Sequence, residues 1–114
     1  MIAIIDYGVG NLYSLSRSLS YIGLENTVTR DERTLASAEK IILPGVGAFG
    51  DAMEKLSDTG LVPAVKARAA AGVPLLGICL GMQLLFEKGY EYGEHDGLGL
   101  LTGEVRPLAE DLPE

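Results

Sequence analysis

An α/β fold with helices packed on a parallel sheet is what this sequence predicts, and three observations predict it. Short apolar runs alternate with helical periodicities along the first 88 residues. Three of those runs end in loops with special backbone needs, at Asp6-Tyr7-Gly8, Pro44-Gly45-Val46-Gly47 and Gly77-Ile78-Cys79. A length of 114 residues at 47% hydrophobic content suits one domain around one core. The reading is therefore a single domain over 1–114, with βα units across 1–88 and a Gly-rich acidic segment across 89–114.

The elements follow in order. Ile2-Ala3-Ile4-Ile5 is the first strand, and Asp6 interrupts it before a signal peptide can develop. Leu12, Leu15, Leu19 and Ile22 recur at helical spacing, with Asn11 as N-cap and Gly23 as the stop. Asn26 to Arg30 is a second strand, and Ile41-Ile42-Leu43 a third, closed by Pro44-Gly45. Asp51 to Ala71 is largely helical, with Leu61, Val62, Val65 and Ala69 on one stripe and Gly72-Val73-Pro74 ending it. Leu75 to Ile78 is the fourth strand. A helix is predicted after Cys79 through Leu80, Leu84 and Leu85 to about Lys88. Leu98 to Leu101 and Glu104 to Pro107 read as a short hairpin around Thr102-Gly103, and Ala109 to Glu114 as a loose end.

Charge and composition exclude several functions. The net charge is −7, and the segment from Glu87 to Glu114 holds eight acids and two bases, so no positive face is available for nucleic acid or an anionic membrane. One Cys and one His give no metal-ligand spacing, and a lone thiol fits a reducing cytoplasm. The 18-residue uncharged run from Ala69 to Phe86 stands at the threshold of a membrane span. Gly72, Pro74, Gly77, Gly81 and Gln83 divide it into helix end, strand, turn and new helix instead.

Gly77-Ile78-Cys79-Leu80-Gly81 carries the strongest chemical signal. A G-x-C-x-G at a strand-to-helix junction is the cysteine form of a nucleophile elbow: the turn is sharp, and small neighbours let it close while the side chain stays exposed. A helix opening at Leu80 aims amide N–H groups at the sulfur. The alternative, a buried structural cysteine, is disfavoured by the flanking glycines. Pro44-Gly45-Val46-Gly47 can turn backbone N–H groups into an anion or oxyanion site. Its extension to Gly50 matches a dinucleotide G-x-G-x-x-G, but no acid stands about 20 residues on to hold a ribose. Asp6 to Asn11 lies at the same carboxyl rim of the sheet, where ligands gather, though a tight turn and a helix cap also explain it. Gln83 follows Cys79 by one helical turn and faces the same way. His95, in Tyr92-Gly93-Glu94-His95-Asp96-Gly97, reads as a solvated loop residue.

With these residues in view the chain resembles the class I (triad) glutamine amidotransferases, most closely the glutaminase subunits of imidazole glycerol phosphate synthases in histidine biosynthesis. The resemblance rests on Asp6-Tyr7-Gly8-Val9-Gly10-Asn11, Leu43-Pro44-Gly45-Val46-Gly47-Ala48-Phe49, Gly77-Ile78-Cys79-Leu80-Gly81-Met82-Gln83 and Gly97-Leu98-Gly99-Leu100-Leu101, four motifs in the family's order. It implies a flavodoxin-like sheet in the order 2-1-3-4, and Cys79 as the nucleophile that forms a glutamyl thioester. It further implies oxyanion donors at the amides of Leu80 and Val46, glutamine contacts at Gly45, Gly47 and Gln83, and no cofactor or metal. Ammonia would pass to a (β/α)8 barrel synthase subunit facing Asp6, Tyr7, Gly8, Gly10 and Asn11.

The family's catalytic His and Glu lie beyond position 114, so the resemblance implies the N-terminal half of a glutaminase, inactive by itself because no acid protonates departing ammonia. A non-catalytic scaffold and, more weakly, a cysteine hydrolase of the α/β type remain alternatives. The fourth strand is left as an apolar edge, which predicts self-association into a homodimer.

Overall fold

The computed structural model describes residues 1–108, so the Ala109–Glu114 loose end lies outside the described residues. The elements run β1 (Ile2–Ile5), α1 (Leu12–Tyr21), β2 (Asn26–Thr29), α2 (Glu32–Ser37), β3 (Lys40–Leu43), α3 (Phe49–Asp58), α4 (Val62–Ala70), β4 (Leu75–Gly77), α5 (Leu80–Gln83), β5 (Phe86–Gly89), β6 (His95–Asp96) and β7 (Leu101–Val105). The first four strands form a parallel sheet in the order β2-β1-β3-β4, as the sequence predicts.

Register explains where the core lies. Ala3 pairs with Ile41 and Ile41 with Leu75, so alternate residues of neighbouring strands share a face. Ala3, Ile5, Ile41 and Leu43 join Leu35, Phe49, Leu56, Leu61 and Val65 in the main core. Ile2, Ile4, Ile42 and Leu76 take the opposite face, where Leu19 of α1 meets Ile2 and Ile42 along a groove. The Asn11 carboxamide oxygen accepts from the Ser14 N–H at 3.2 Å and fixes the start of α1 directly after the β1 loop. Among the described residues no helix is long and apolar enough to cross a membrane.

The structure differs from the sequence reading in four places. The helix predicted over Asp51–Ala71 is two helices, broken at Thr59-Gly60-Leu61, where Gly60 has φ 75° and Leu61 is buried. Six residues between β2 and β3 form α2, capped by Asp31, which the sequence reading left without structure. The helix after Cys79 ends at Gln83 rather than Lys88. Leu84 and Leu85 leave it to enter the core, and their carbonyls accept from Leu98, Leu100 and Leu101 instead of continuing a helical ladder. Finally, Leu98–Leu101 and Glu104–Pro107 do not form a hairpin, because Leu101–Val105 is one strand.

That strand belongs to a second sheet, β6-β5-β7, in which β5 runs antiparallel to β6 and parallel to β7. Phe86 pairs with Leu101 and Lys88 with Glu104, so β7 carries one extra residue at Thr102-Gly103. Gly103 marks this bulge, and its N–H donates to Glu87 at 2.9 Å. Leu84 and Leu98 join the main core and so fasten the small sheet to the large one.

Leu84 is fully buried where the two sheets meet. Leu84→Ala is expected to lower stability by about 2–5 kcal/mol, read as the shift of the urea unfolding midpoint.

Candidate active site

Cys79 stands at the turn between β4 and α5 with φ 54° and ψ −123°, a conformation that L residues rarely adopt, and its thiol is exposed. Holding a non-glycine residue there costs about 1–3 kcal/mol, which the surroundings must offset. They do so with backbone hydrogen bonds on both sides: Ile78 N–H to Leu43 O at 3.0 Å, Gly81 N–H to Ile78 O at 2.9 Å and Met82 N–H to Cys79 O at 3.0 Å.

The glycines around the turn are steric necessities. A Cβ on Gly81 would lie 1.9 Å from the Leu43 carbonyl oxygen, and one on Gly77 would lie 2.5 Å from the Met82 Cα. A Cβ on Gly45 would lie 2.7 Å from both the Gly81 nitrogen and the Tyr7 hydroxyl. The β3 loop and the β4 elbow therefore touch backbone to backbone. At that contact the Leu80 N–H donates to the Gly45 carbonyl at 3.2 Å.

Tyr7 lies beneath the contact. It is 3% exposed, and its hydroxyl donates to the Pro44 carbonyl. Burial pushes the phenol up to about 12, so it stays a donor across the physiological range. The sequence reading placed Tyr7 on a partner-facing surface; the side chain instead turns inward to support Pro44-Gly45. Gly8 and Asn11 of the same loop are exposed, Asp6 pairs with Arg30 at 3.1 Å, and Gly10 abuts Pro44. Val46 is 61% exposed, and Gly47, with φ 95°, is exposed beside it.

Beyond α5 a cavity of about 160 Å³ is lined by Phe49, Gln83, Tyr90, Glu91, Val105, Arg106 and Pro107. Glu91 accepts from the Phe49 N–H at 3.0 Å, so one carboxylate caps α3 and borders the cavity. Gln83, an acid and a base thus border one cavity, and Gln83 follows Cys79 by one turn of α5, although Cys79 itself does not line the cavity. His95, predicted to be solvated in a loop, is on β6 and half-buried, with its ring against Gly50.

Comparison with known proteins decides the family. Residues 3–96 match the model of the glutamine amidotransferase class-I family. The chain belongs to the class I glutamine amidotransferases. It is similar to the proteins named imidazole glycerol phosphate synthase subunit HisH from Sulfurimonas denitrificans (53% identical, covering 92% of this chain and 51% of that protein), Aquifex aeolicus (52%, covering 96% and 55%) and Bacillus cereus (55%, covering 95% and 52%). The chain spans about half the length of the curated relatives it matches. Its fold is also that of a solved glutamine amidotransferase, with TM-score 0.77 and 23% identity over 93% of this chain and 56% of that one.

This amidotransferase chain has features near the site that its sequence did not disclose. Glu91 and Arg106 carry no local signal, being one acid and one base within an acidic segment. Only the fold of the small sheet brings them to Gln83.

Two outcomes follow. Gly81→Ala is expected to prevent closure of the elbow, so that Cys79 reacts with iodoacetamide at the rate of the denatured chain. Because the Tyr7 phenol titrates near 12 when folded and near 10 when unfolded, the unfolded state loses its proton first. Its contribution is complete below about pH 10 and is lost as pH rises towards 12. Unfolding free energies measured from pH 9 to 12 are expected to fall by about 2 kcal/mol more in the parent than in Tyr7→Phe.

Proposed function

We propose that this chain supplies the nucleophile and part of the glutamine site of a glutaminase. In this reading the Cys79 sulfur attacks the carboxamide carbon of glutamine, and the carbonyl oxygen takes the negative charge. Collapse breaks the C–N bond, ammonia leaves, and water hydrolyses the γ-glutamyl thioester to glutamate. The observation that carries the reading is the strained, exposed Cys79 at the start of α5, whose last residue, Gln83, borders a cavity with Glu91 and Arg106. Glu91 suits the α-ammonium of an amino acid, Arg106 its α-carboxylate and Gln83 an amide or carboxylate, while glutamine contacts at Gly45 and Gly47, which do not line that cavity, rest on the family's pattern.

The Leu80 N–H is the natural first oxyanion donor, yet here it is engaged by the Gly45 carbonyl. A rotation of the Gly45–Val46 peptide would release the Leu80 N–H from that carbonyl, and Val46 is kept as the second donor on the family's pattern. The single histidine of the chain packs on Gly50 and borders a pocket with Asp51 and Glu91. In this reading His95 is not the acid for departing ammonia, and the chain alone is expected to be inactive for want of one.

The kinship with imidazole glycerol phosphate synthase subunits supports the rest of the proposal. Ammonia passes to a (β/α)8 barrel synthase subunit in histidine biosynthesis, in the cytoplasm. The exposed Gly8 and Asn11, with Asp6 and Gly10, form the docking rim, and Tyr7 supports it from below. Among the described residues β4 pairs with β3 alone, which supports a further reading in which the chain also self-associates.

Glutamate and ammonia release should be measured for the chain alone, with the barrel synthase, and for Cys79→Ala. No turnover is expected in any of them. Cys79 itself should be labelled by a glutamine-like chloroketone faster than the denatured thiol, and Glu91→Gln should slow that labelling about tenfold while leaving iodoacetamide alkylation unchanged. Equal labelling of folded and denatured chains would sink the reading, and turnover abolished by Cys79→Ala would mean that this chain holds its own base.

A further inference from the structure

One carboxylate joins the cavity of Gln83 and Arg106 to the nucleophile turn, by way of a helix that does not cap itself. α3 opens after Ala48, whose side chain has no acceptor for the first N–H groups of the helix. Glu91 supplies one from 42 residues away: its Oε1 accepts from the Phe49 N–H at 3.0 Å. Its backbone is anchored, since the Tyr90 N–H donates to the Val105 carbonyl at 2.9 Å and Gly89 pairs with His95. Phe49 is fully buried, and its ring stands 2.5 Å from where a Cβ on Gly89 would lie, so the start of α3 and the strand leading to Glu91 interlock.

The other end of the link is the elbow. Val46, Gly47 and Ala48 alone separate Phe49 from Gly45, whose carbonyl accepts from the Leu80 N–H at 3.2 Å. Val46 and Gly47 are exposed, and a Cβ on Gly47 would meet nothing within 4 Å. The stretch is therefore held at its ends, by Tyr7 on Pro44 before it and by Glu91 on Phe49 after it. We propose that the Glu91 cap is a latch on this loop, and that an ammonium group reaching Glu91 from the cavity releases it and frees the Leu80 N–H next to Cys79.

Charge sets the direction of the effect. The start of α3 presents about half a positive charge to the carboxylate, whereas an α-ammonium presents a full one. The two compete for one negative group, so a bound ammonium weakens the cap, and by linkage a weaker cap favours the ammonium. Arg106, the base already bordering the cavity, is engaged elsewhere: its Nε pairs with Glu104 at 3.4 Å, and its guanidinium lies over the Tyr90 ring at 6.0 Å. Glu91 is thereby a positioning residue for an oxyanion donor as well as a substrate contact. The identity of the ligand rests on the glutaminase reading, but the latch is a property of the free chain, and separate readouts test the two.

Amide hydrogen exchange of the 114-residue chain reads the latch directly. Glu91→Ala should raise exchange about tenfold at both Phe49 and Leu80, and leave Ile41, whose N–H donates to Pro74 O at 2.9 Å, at the parent rate. Ala48→Ser in that background gives α3 its own cap and should return Leu80 towards the parent rate, which a lost substrate contact alone would not show. Labelling Cys79 with the glutamine-like chloroketone should raise exchange at Phe49 and Leu80 as Glu91→Ala does, whereas the same chloroketone without its α-amino group should not. Exchange at Leu80 that is unchanged in Glu91→Ala, or that rises together with Ile41, would overturn the latch. Faster labelling of the folded than of the denatured chain, with no change at Phe49 in the adduct, would overturn release by the ammonium and keep the glutaminase site. Equal labelling of folded and denatured chains would overturn both the site and the release, and the exchange rates of the free chain would still decide the latch.

Discussion

Backbone from two loops meets at a distance that admits no side chain, and the site depends on that meeting. The Leu43 carbonyl reaches the Gly81 Cα region so closely that a Cβ would lie 1.9 Å away, and Gly45 fits between Gly81 and the Tyr7 hydroxyl. The strand register sets this approach, since Leu43 pairs with Gly77 and both strands end at the same level. Once the loops are in contact, the positive φ of Cys79 is overdetermined by hydrogen bonds at Ile78, Leu80, Gly81 and Met82. Strain in the nucleophile turn is thus held by glycine contacts rather than by bulky packing.

The same contact explains why the first turn of α5 can be so short. A four-residue helix carries little dipole of its own, so the longer helix that the sequence implied would have given more electrostatic help at the sulfur than this one does. Its value is positional. It turns the chain so that Gln83 borders the cavity and Leu84 drops into the core, and the small sheet then brings Glu91 and Arg106 to the same space. An acidic segment with little apolar content is held in place by Leu98, Leu84 and Phe49, whose ring lies where a side chain on Gly89 would be.

The parts legible in the sequence are those where one signal has one physical cause. Apolar runs ending in glycine loops marked β1, β3 and β4, and for β1 and β3 the reason is that a strand covered on both faces has no polar position to alternate with, whereas β2 at the sheet's edge is polar in composition. Asn11 as a cap and the Gly77-to-Gly81 turn were legible because few other residues meet those backbone demands. Illegible parts had two causes for one pattern. Leu80, Leu84 and Leu85 recur as a helix face would, yet the last two serve the joint between sheets. Gly103 reads equally well as a turn or a bulge until β5 supplies the partner that decides it. Tyr7 looked like a surface residue because its loop is polar, and only the position of Pro44 turns it inward.

The requirements of the elbow shape the uncharged stretch from Ala69 to Phe86. A turn that closes backbone to backbone tolerates only small residues near the nucleophile, and a short strand leading into it must be apolar to lie beside β3. Those demands exclude the charges and prolines by which an edge strand normally resists pairing. Whatever completes the ladder at Leu75 and Gly77 also fixes the backbone just before Cys79. Gly77 is already wedged against Met82, so a partner strand would restrict the one residue of β4 that has no side chain to hold it.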